Sequence, residues 1–73
     1  MKEIDLHGLG HSEVKNLLGN WLIMECNKGS MPLKLITGKS LRMKKIVHKV
    51  ANEFEFKVSD SLDGNAGVLV IRE

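Results

Sequence analysis

Two short stretches carry the residue types that chemistry on a phosphate ester requires. In Ile4-Asp5-Leu6-His7-Gly8, apolar and polar residues alternate until a glycine is reached. That is the pattern of a short strand with one buried face, ending where the backbone must turn. A period of two puts Ile4 and Leu6 on one side, and Asp5 and His7 on the other. A carboxylate and an imidazole leaving one side of a strand end can act together on a phosphodiester. His7 would move a proton to or from water or a leaving oxygen, while Asp5 would orient the imidazole, hold a divalent cation such as Mg²⁺ or Mn²⁺, or polarise water. The bland alternative is that Asp5 pairs with a neighbouring lysine and His7 only hydrogen-bonds the turn. The second stretch, Leu35-Ile36-Thr37-Gly38-Lys39-Ser40, has the same form of apolar strand, polar residue, glycine and loop.

Charge separates along the chain. From Asn27 to Asn52 there are seven basic residues and no acidic one: Lys28, Lys34, Lys39, Arg42, Lys44, Lys45 and Lys49. The remainder holds four basic and nine acidic residues, so a net charge of +2 conceals a segment of +7 beside flanks of −5. This asymmetry favours an anionic partner over a lysine-rich face that is merely solvated, because the cluster surrounds a glycine turn. The 73 residues allow one small domain, 1–73. One cysteine, Cys26, excludes an internal disulfide, and no Cys/His spacing suggests a zinc site. No apolar run approaches membrane-spanning length and no signal peptide is present, so no membrane partner and an intracellular, cytoplasmic location are expected.

Positioning these residues requires six elements. Lys2 to His7 reads as the first strand, followed by a turn at Gly8-Leu9-Gly10-His11. Ser12 is the expected N-cap of a helix that presents Val14, Leu17, Leu18, Trp21 and Leu22 at helical spacing, with Lys15 where a capping box would want Glu. Gly19 should weaken this helix by about 1 kcal/mol relative to Ala unless something packs closely against it. Asn27-Lys28-Gly29 is its stop signal, and Pro32 delays the next strand until after it. Leu33 to Thr37 is the second strand, and Gly38-Lys39-Ser40 leads into a second helix with Met43, Ile46, Val47, Val50, Ala51 and Phe54 on its apolar side. A third strand is expected from about Glu55, a turn at Asp63-Gly64-Asn65, and a final strand from Val68 to Ile71. Val14, Leu17, Trp21, Leu35, Ile46, Val50 and Val70 should be buried.

The order β-α-β-α-β-β makes the first unit a right-handed parallel crossover, so both of its strands end at the same edge of a mixed sheet. Ligands of open α/β sheets bind outside such carboxyl ends. Asp5, His7 and Gly8 would stand at one strand end, Thr37, Gly38 and Lys39 at the other. Lys39, Arg42, Lys44 and Lys45 crowd the first turns of the second helix, where the dipole is already positive, at a cost that an anion would remove. Ser40 belongs to the same turn, His11 to the mouth of the first, and Lys49 to the basic face beyond. Gly38-Lys39-Ser40 is not a P-loop, because the first glycine of that motif would fall on Leu33. His48 lines the basic face, and the scarcity of aromatic residues argues against base stacking.

Ile4-Asp5-Leu6-His7-Gly8 resembles the L-D-x-H-G signature of Smr domains, the small MutS-related family. Leu35-Ile36-Thr37-Gly38-Lys39 is similar to that family's second motif, T-G-x-G or H-G-x-G after a strand, and Asn65 to Arg72 to its closing G-x-x-x-V-x-L-R strand. The resemblance covers essentially the whole chain. It implies a two-layer α/β sandwich like the C-terminal domain of bacterial translation initiation factor three. It also implies nucleic-acid binding and, in several members, nicking or endonucleolytic cleavage of DNA or RNA. Asp5 and His7 match the first-motif residues implicated in cleavage; Thr37, Gly38 and Lys39 match the start of the second motif. The chain departs from the pattern at Ser40, where the second glycine is expected, and in the shortened loop before Leu41-Arg42, a departure that bears on catalysis more than on binding.

Three classes of function follow: an endonuclease acting through Asp5 and His7, a non-catalytic DNA- or RNA-binding module using the same basic surface, and an adaptor that depends on a protein partner because a domain of this size is marginal alone.

Overall fold

The computed structural model describes residues 2–61, 64 and 66–73. Six elements follow in the expected order: β1 (Lys2–Asp5), α1 (His11–Asn27), β2 (Leu33–Ile36), α2 (Leu41–Glu53), β3 (Lys57–Asp60) and β4 (Val68–Arg72). They form one mixed four-stranded sheet in the order β1-β2-β4-β3. β1 pairs parallel to β2, with Ile4 opposite Leu35. β4 runs antiparallel to both neighbours, Leu35 facing Leu69 and Val58 facing Ile71. The chain thus crosses from β2 through α2 to β3 and leaves a gap that β4 fills, a split βαβ unit. Asp63 and Asn65 of the expected turn lie outside the described residues; Gly64 has a φ of +77°.

The register sorts side chains between the faces. Leu33, Leu35, Leu69 and Ile71 join Leu6, Val14, Leu18, Leu22, Met43, Val47, Val50 and Ala51 in one core beneath both helices. The opposite face carries Glu3, Asp5, Lys34, Ile36, Val68 and Val70. Val70 is 2% exposed, as expected, yet it is not part of the core cluster, because its register with Lys34 and Ser59 places it on the helix-free face. Leu17 is a correction: it is 39% exposed. The buried positions of α1 are Val14, Leu18, Gly19, Leu22 and Glu25, and Leu17 lies about 100° around the helix from Leu18, on the flank. Trp21 and Ile46 are half-buried against the core.

Element ends also differ from the sequence expectation, for local reasons. The first helix starts at His11 with Gly10 as its cap, and Val14 N–H bonding Gly10 C=O closes the first turn, so Ser12 is already helical. β1 stops at Asp5, although Leu6 N–H still donates to Ile36 C=O, because the chain turns back with Leu9 N–H on Leu6 C=O. β3 begins at Lys57, since Glu55 has a φ of +65° and serves as the left-handed residue that closes α2. Phe56 N–H returns to Ala51 C=O and Glu55 N–H to Asn52 C=O, a Schellman motif in a position that ordinarily favours glycine. α1 ends on the same motif with the expected residue, Gly29 at φ +74°.

The buried Gly19 meets the condition under which a mid-helix glycine is retained. A Cβ there would stand 2.5 Å from the Phe54 ring, so the absent side chain is what lets the end of α2 lie against α1. Among the described residues no helix is long and apolar enough to cross a membrane.

Candidate nucleic-acid interface

β1 and β2 are parallel neighbours, so their carboxyl ends lie side by side, and the Leu6-to-Ile36 hydrogen bond of 2.8 Å carries the pairing one residue past β1. His7 therefore arrives beside the Gly38 turn: an added Cβ on Gly38 would lie 3.6 Å from His7 Cβ and 3.7 Å from its ring. Gly38 holds a φ of +63°, which a side chain would strain.

Asp5 and His7 touch directly. One Asp5 oxygen, Oδ1, accepts the His7 backbone N–H at 3.0 Å and lies 3.2 Å from His7 Nδ1. The backbone N–H first, and the ring second, hold the Asp5 carboxyl below its ordinary value. The His7 side chain is 66% exposed and that of Asp5 59%, so both remain open to a ligand. Among the described residues no lysine or arginine stands within ion-pair distance of Asp5; its side-chain partner is the His7 ring.

Thr37 plays a different part from the one expected of a ligand contact. It is 1% exposed, and its hydroxyl proton is shared between Gly38 C=O at 2.9 Å and Gly67 C=O at 3.3 Å. Thr37 and Gly38 N–H both donate to Gly67 C=O, at 2.8 and 3.1 Å. Thr37 thus pins the β2 exit to the start of β4 and positions the glycine turn. Ser40 is committed to the helix it precedes: its Oγ accepts Met43 N–H at 3.1 Å as the N-cap of α2.

The basic residues fall into two groups. Lys39 is exposed in the turn, and Lys44 is half-buried on α2. Arg42, Lys45 and Lys49 line a groove of about 470 Å³ between α1 and α2, together with His11 from the first turn of α1. Among the described residues no carboxylate lies within 4 Å of Lys39, Arg42, Lys44, Lys45 or Lys49. Lys34, by contrast, reaches Glu3 at 4.0 Å on the sheet, and Lys28 reaches Glu25 at 3.9 Å. Gly8 is exposed in the β1–α1 turn.

The groove recruits α1 residues that sequence reading missed: Ser12, Lys15 and Asn16. The visible signal was Lys15 in place of a capping-box Glu, one turn after His11. Glu53 also lines it, a carboxylate at the far end of α2. Leu41, at the first position of α2, is 72% exposed at the rim of this basic edge.

The described residues contain no cluster of three or more His, Cys, Asp or Glu side chains placed to hold an ion. A hard cation such as Mg²⁺ at this edge would take Asp5 as its protein ligand and draw the rest of its shell from water and substrate phosphate. Compared with known proteins, the chain matches no family model, no curated protein and no solved structure.

Proposed function

We propose that this chain binds DNA or RNA across the joined ends of β1 and β2 and cuts or nicks a phosphodiester there through Asp5 and His7. The observation that carries this reading is the Asp5–His7 pair, exposed and hydrogen-bonded, beside a glycine turn that opens a helix whose cations have no carboxylate within 4 Å among the described residues. The carboxylate at Nδ1 favours the tautomer that keeps a proton there and leaves Nε2 as the base. Nε2 would take a proton from the attacking hydroxyl, which is water or, on RNA, the ribose 2′-OH. As the new P–O bond forms, the P–O bond to the leaving oxygen breaks and that oxygen takes a proton from the His7 imidazolium or from solvent, while Lys39 and the N-terminal amides of α2 offset the charge gathering on the phosphate oxygens. The likeness of the three motifs to Smr domains supports the same assignment. If Mg²⁺ or Mn²⁺ takes part, Asp5 is the group that would hold it.

A second reading, a binding module without hydrolysis, is favoured by Ser40. Its hydroxyl caps α2 in place of the glycine-rich loop expected to enclose the phosphate. Incubating purified protein with labelled DNA and RNA, with and without Mg²⁺ or Mn²⁺, separates the two. Cleavage products in any arm establish the nuclease; mobility shifts without products under every condition establish the binding module. Neither shift nor product removes both.

A further inference from the structure

The groove between the helices has a composition that phosphate contacts alone do not require. Its lining carries cations from both helices, Lys15 from α1 and Lys45 and Lys49 from α2. Its floor is apolar, formed by the half-buried Ile46 and the buried Val50. Gly19 and Phe54 approach closely just beyond it, which brings Asn16 and Glu53 to the same end. That end offers an amide and a carboxylate. The carboxylate is out of place in a groove serving only a polyanion, since it repels phosphate.

Dimensions restrict the occupant. The groove is a furrow of about 470 Å³ over two helices that abut where Phe54 lies against Gly19, a volume that accepts a nucleotide of a single strand and not the body of a duplex. From Arg42 to Glu53 the helix runs about 16 Å at about 1.5 Å per residue, room for a short run of nucleotides. An apolar floor suits the face of a base, a cationic lining suits its phosphates, and a carboxylate accepts hydrogen bonds without donating any. We infer that this groove holds an unpaired nucleotide of the bound strand, with its base on Ile46 and Val50, and that Glu53 selects guanine.

The selection follows from donor patterns. The Watson–Crick edge of guanine presents N1–H and the N2 amino group side by side, two donors matched to one carboxylate. Adenine and cytosine place an acceptor beside their amino group, and uracil flanks its single N–H with carbonyls, so each sets a lone pair against Glu53. Unpaired bases expose this edge and paired bases do not. Asn16, which both donates and accepts, supplies the remaining contact at that end. The inference rests on the nucleic-acid reading above and deepens it: the preferred partner is a single-stranded or unpaired segment containing guanine.

Labelled uridine octamers test it, one all-uridine and three with a single central guanosine, adenosine or cytidine, together with their DNA counterparts and a fully paired duplex. The guanosine octamer should bind about tenfold tighter than the all-uridine octamer, the discrimination that a bidentate base contact supplies. Glu53 is exposed, so Glu53→Gln should fold normally. It should hold all-uridine binding at or above wild type while bringing the guanosine octamer to within about twofold of it. Lys15→Glu should weaken every octamer. Equal wild-type affinity for all octamers overturns the inference and leaves the nucleic-acid reading intact. The same holds if Glu53→Gln raises all octamers by one factor with their ratios unchanged, or if the duplex binds as tightly as the octamers. Absence of binding to every probe overturns the nucleic-acid reading itself.

Discussion

His7 Nδ1 lies 3.2 Å from Asp5 Oδ1, and the His7 backbone N–H donates to that same oxygen at 3.0 Å. The two residues are separated only by Leu6, whose burial at 0% exposure anchors the strand end between them. One carboxylate oxygen therefore sets both the backbone and the ring of His7, and the ring stands beside Gly38, where an added Cβ would meet it at 3.7 Å. The orientation of the imidazole is a consequence of strand pairing: remove the parallel β1–β2 register and Gly38 no longer stands beside the ring.

The first prediction concerns this pair. His7→Ala should reduce cleavage by about 10²–10⁴-fold, the usual worth of a positioned proton-transfer group. Asp5→Asn keeps shape but loses the charge that orients the ring, and cleavage should fall with it. Both side chains are mostly exposed, so the melting temperature should stay close to that of wild type. Nucleic-acid affinity, measured by fluorescence anisotropy, should stay close to wild type. Cleavage by Asp5→Asn at full rate would contradict the proposed mechanism.

The second prediction concerns the basic edge. Arg42→Glu/Lys45→Glu should weaken binding to all sequences alike, because phosphate contacts position a ligand without reading it. Wild-type affinity should fall with salt along a straight log–log line, and each phosphate contact removed should flatten that line by about 0.9 for duplex DNA or 0.7 for a single strand. A double variant that binds as wild type does at low salt would show that these cations are only a solvated face.

The third prediction turns on Gly19 and Phe54. In an open helix Gly→Ala would stabilise by about 1 kcal/mol. Here the new Cβ meets the Phe54 ring at 2.5 Å, so the ring must swing out of its contact. Gly19→Ala should destabilise by about 1–2 kcal/mol, as overpacking does. In a Phe54→Ala background the same change should stabilise the protein. Denaturant unfolding of the four members of this cycle measures the coupling, and additivity would mean that the ring does not hold the site.

The fourth prediction is a pH dependence. Glu25 is buried on the core side of α1, and the hydrogen bond from Lys2 Nζ at 2.7 Å is the main cause of its lowered pKa. An acid whose pKa is lower folded than unfolded contributes stability that is present above its unfolded pKa and is lost as pH falls through the folded one. Melting temperature should therefore decline on acidification below the ordinary glutamate range. In Lys2→Met the Glu25 pKa should move back toward its unfolded value, so stability should fall at neutral pH and the acid decline should become shallower, because the decline spans only the interval between the unfolded and folded pKa values. Superimposable melting curves of wild type and Lys2→Met across pH 7 to about 2.5 would contradict the role given to the pair.

Local chemistry determined much of this protein. Alternation in Ile4 to His7, the apolar run from Leu33, the helical spacing in α2, the glycine stop at Gly29 and the bar at Pro32 each depend on a few adjacent residues. Such patterns are readable because alternation, helical period and positive φ are properties of short segments. They were enough to establish the element order and, through the parallel crossover, to bring Asp5 and His7 to the same edge as Gly38. What remained was decided by partners distant in the chain. Leu18 and not Leu17 faces the core because the direction in which α1 packs on the sheet selects one stripe from a broad apolar side. Thr37 is buried because β4 returns beside β2 and lays Gly67 C=O across it. Ser40 serves as a helix cap because α2 begins directly after it. Lys15, Asn16 and Glu53 share a groove only because α1 and α2 pack together, with Gly19 making room for Phe54. No window of adjacent residues contains that information, since it arises from the angle and distance at which two helices meet.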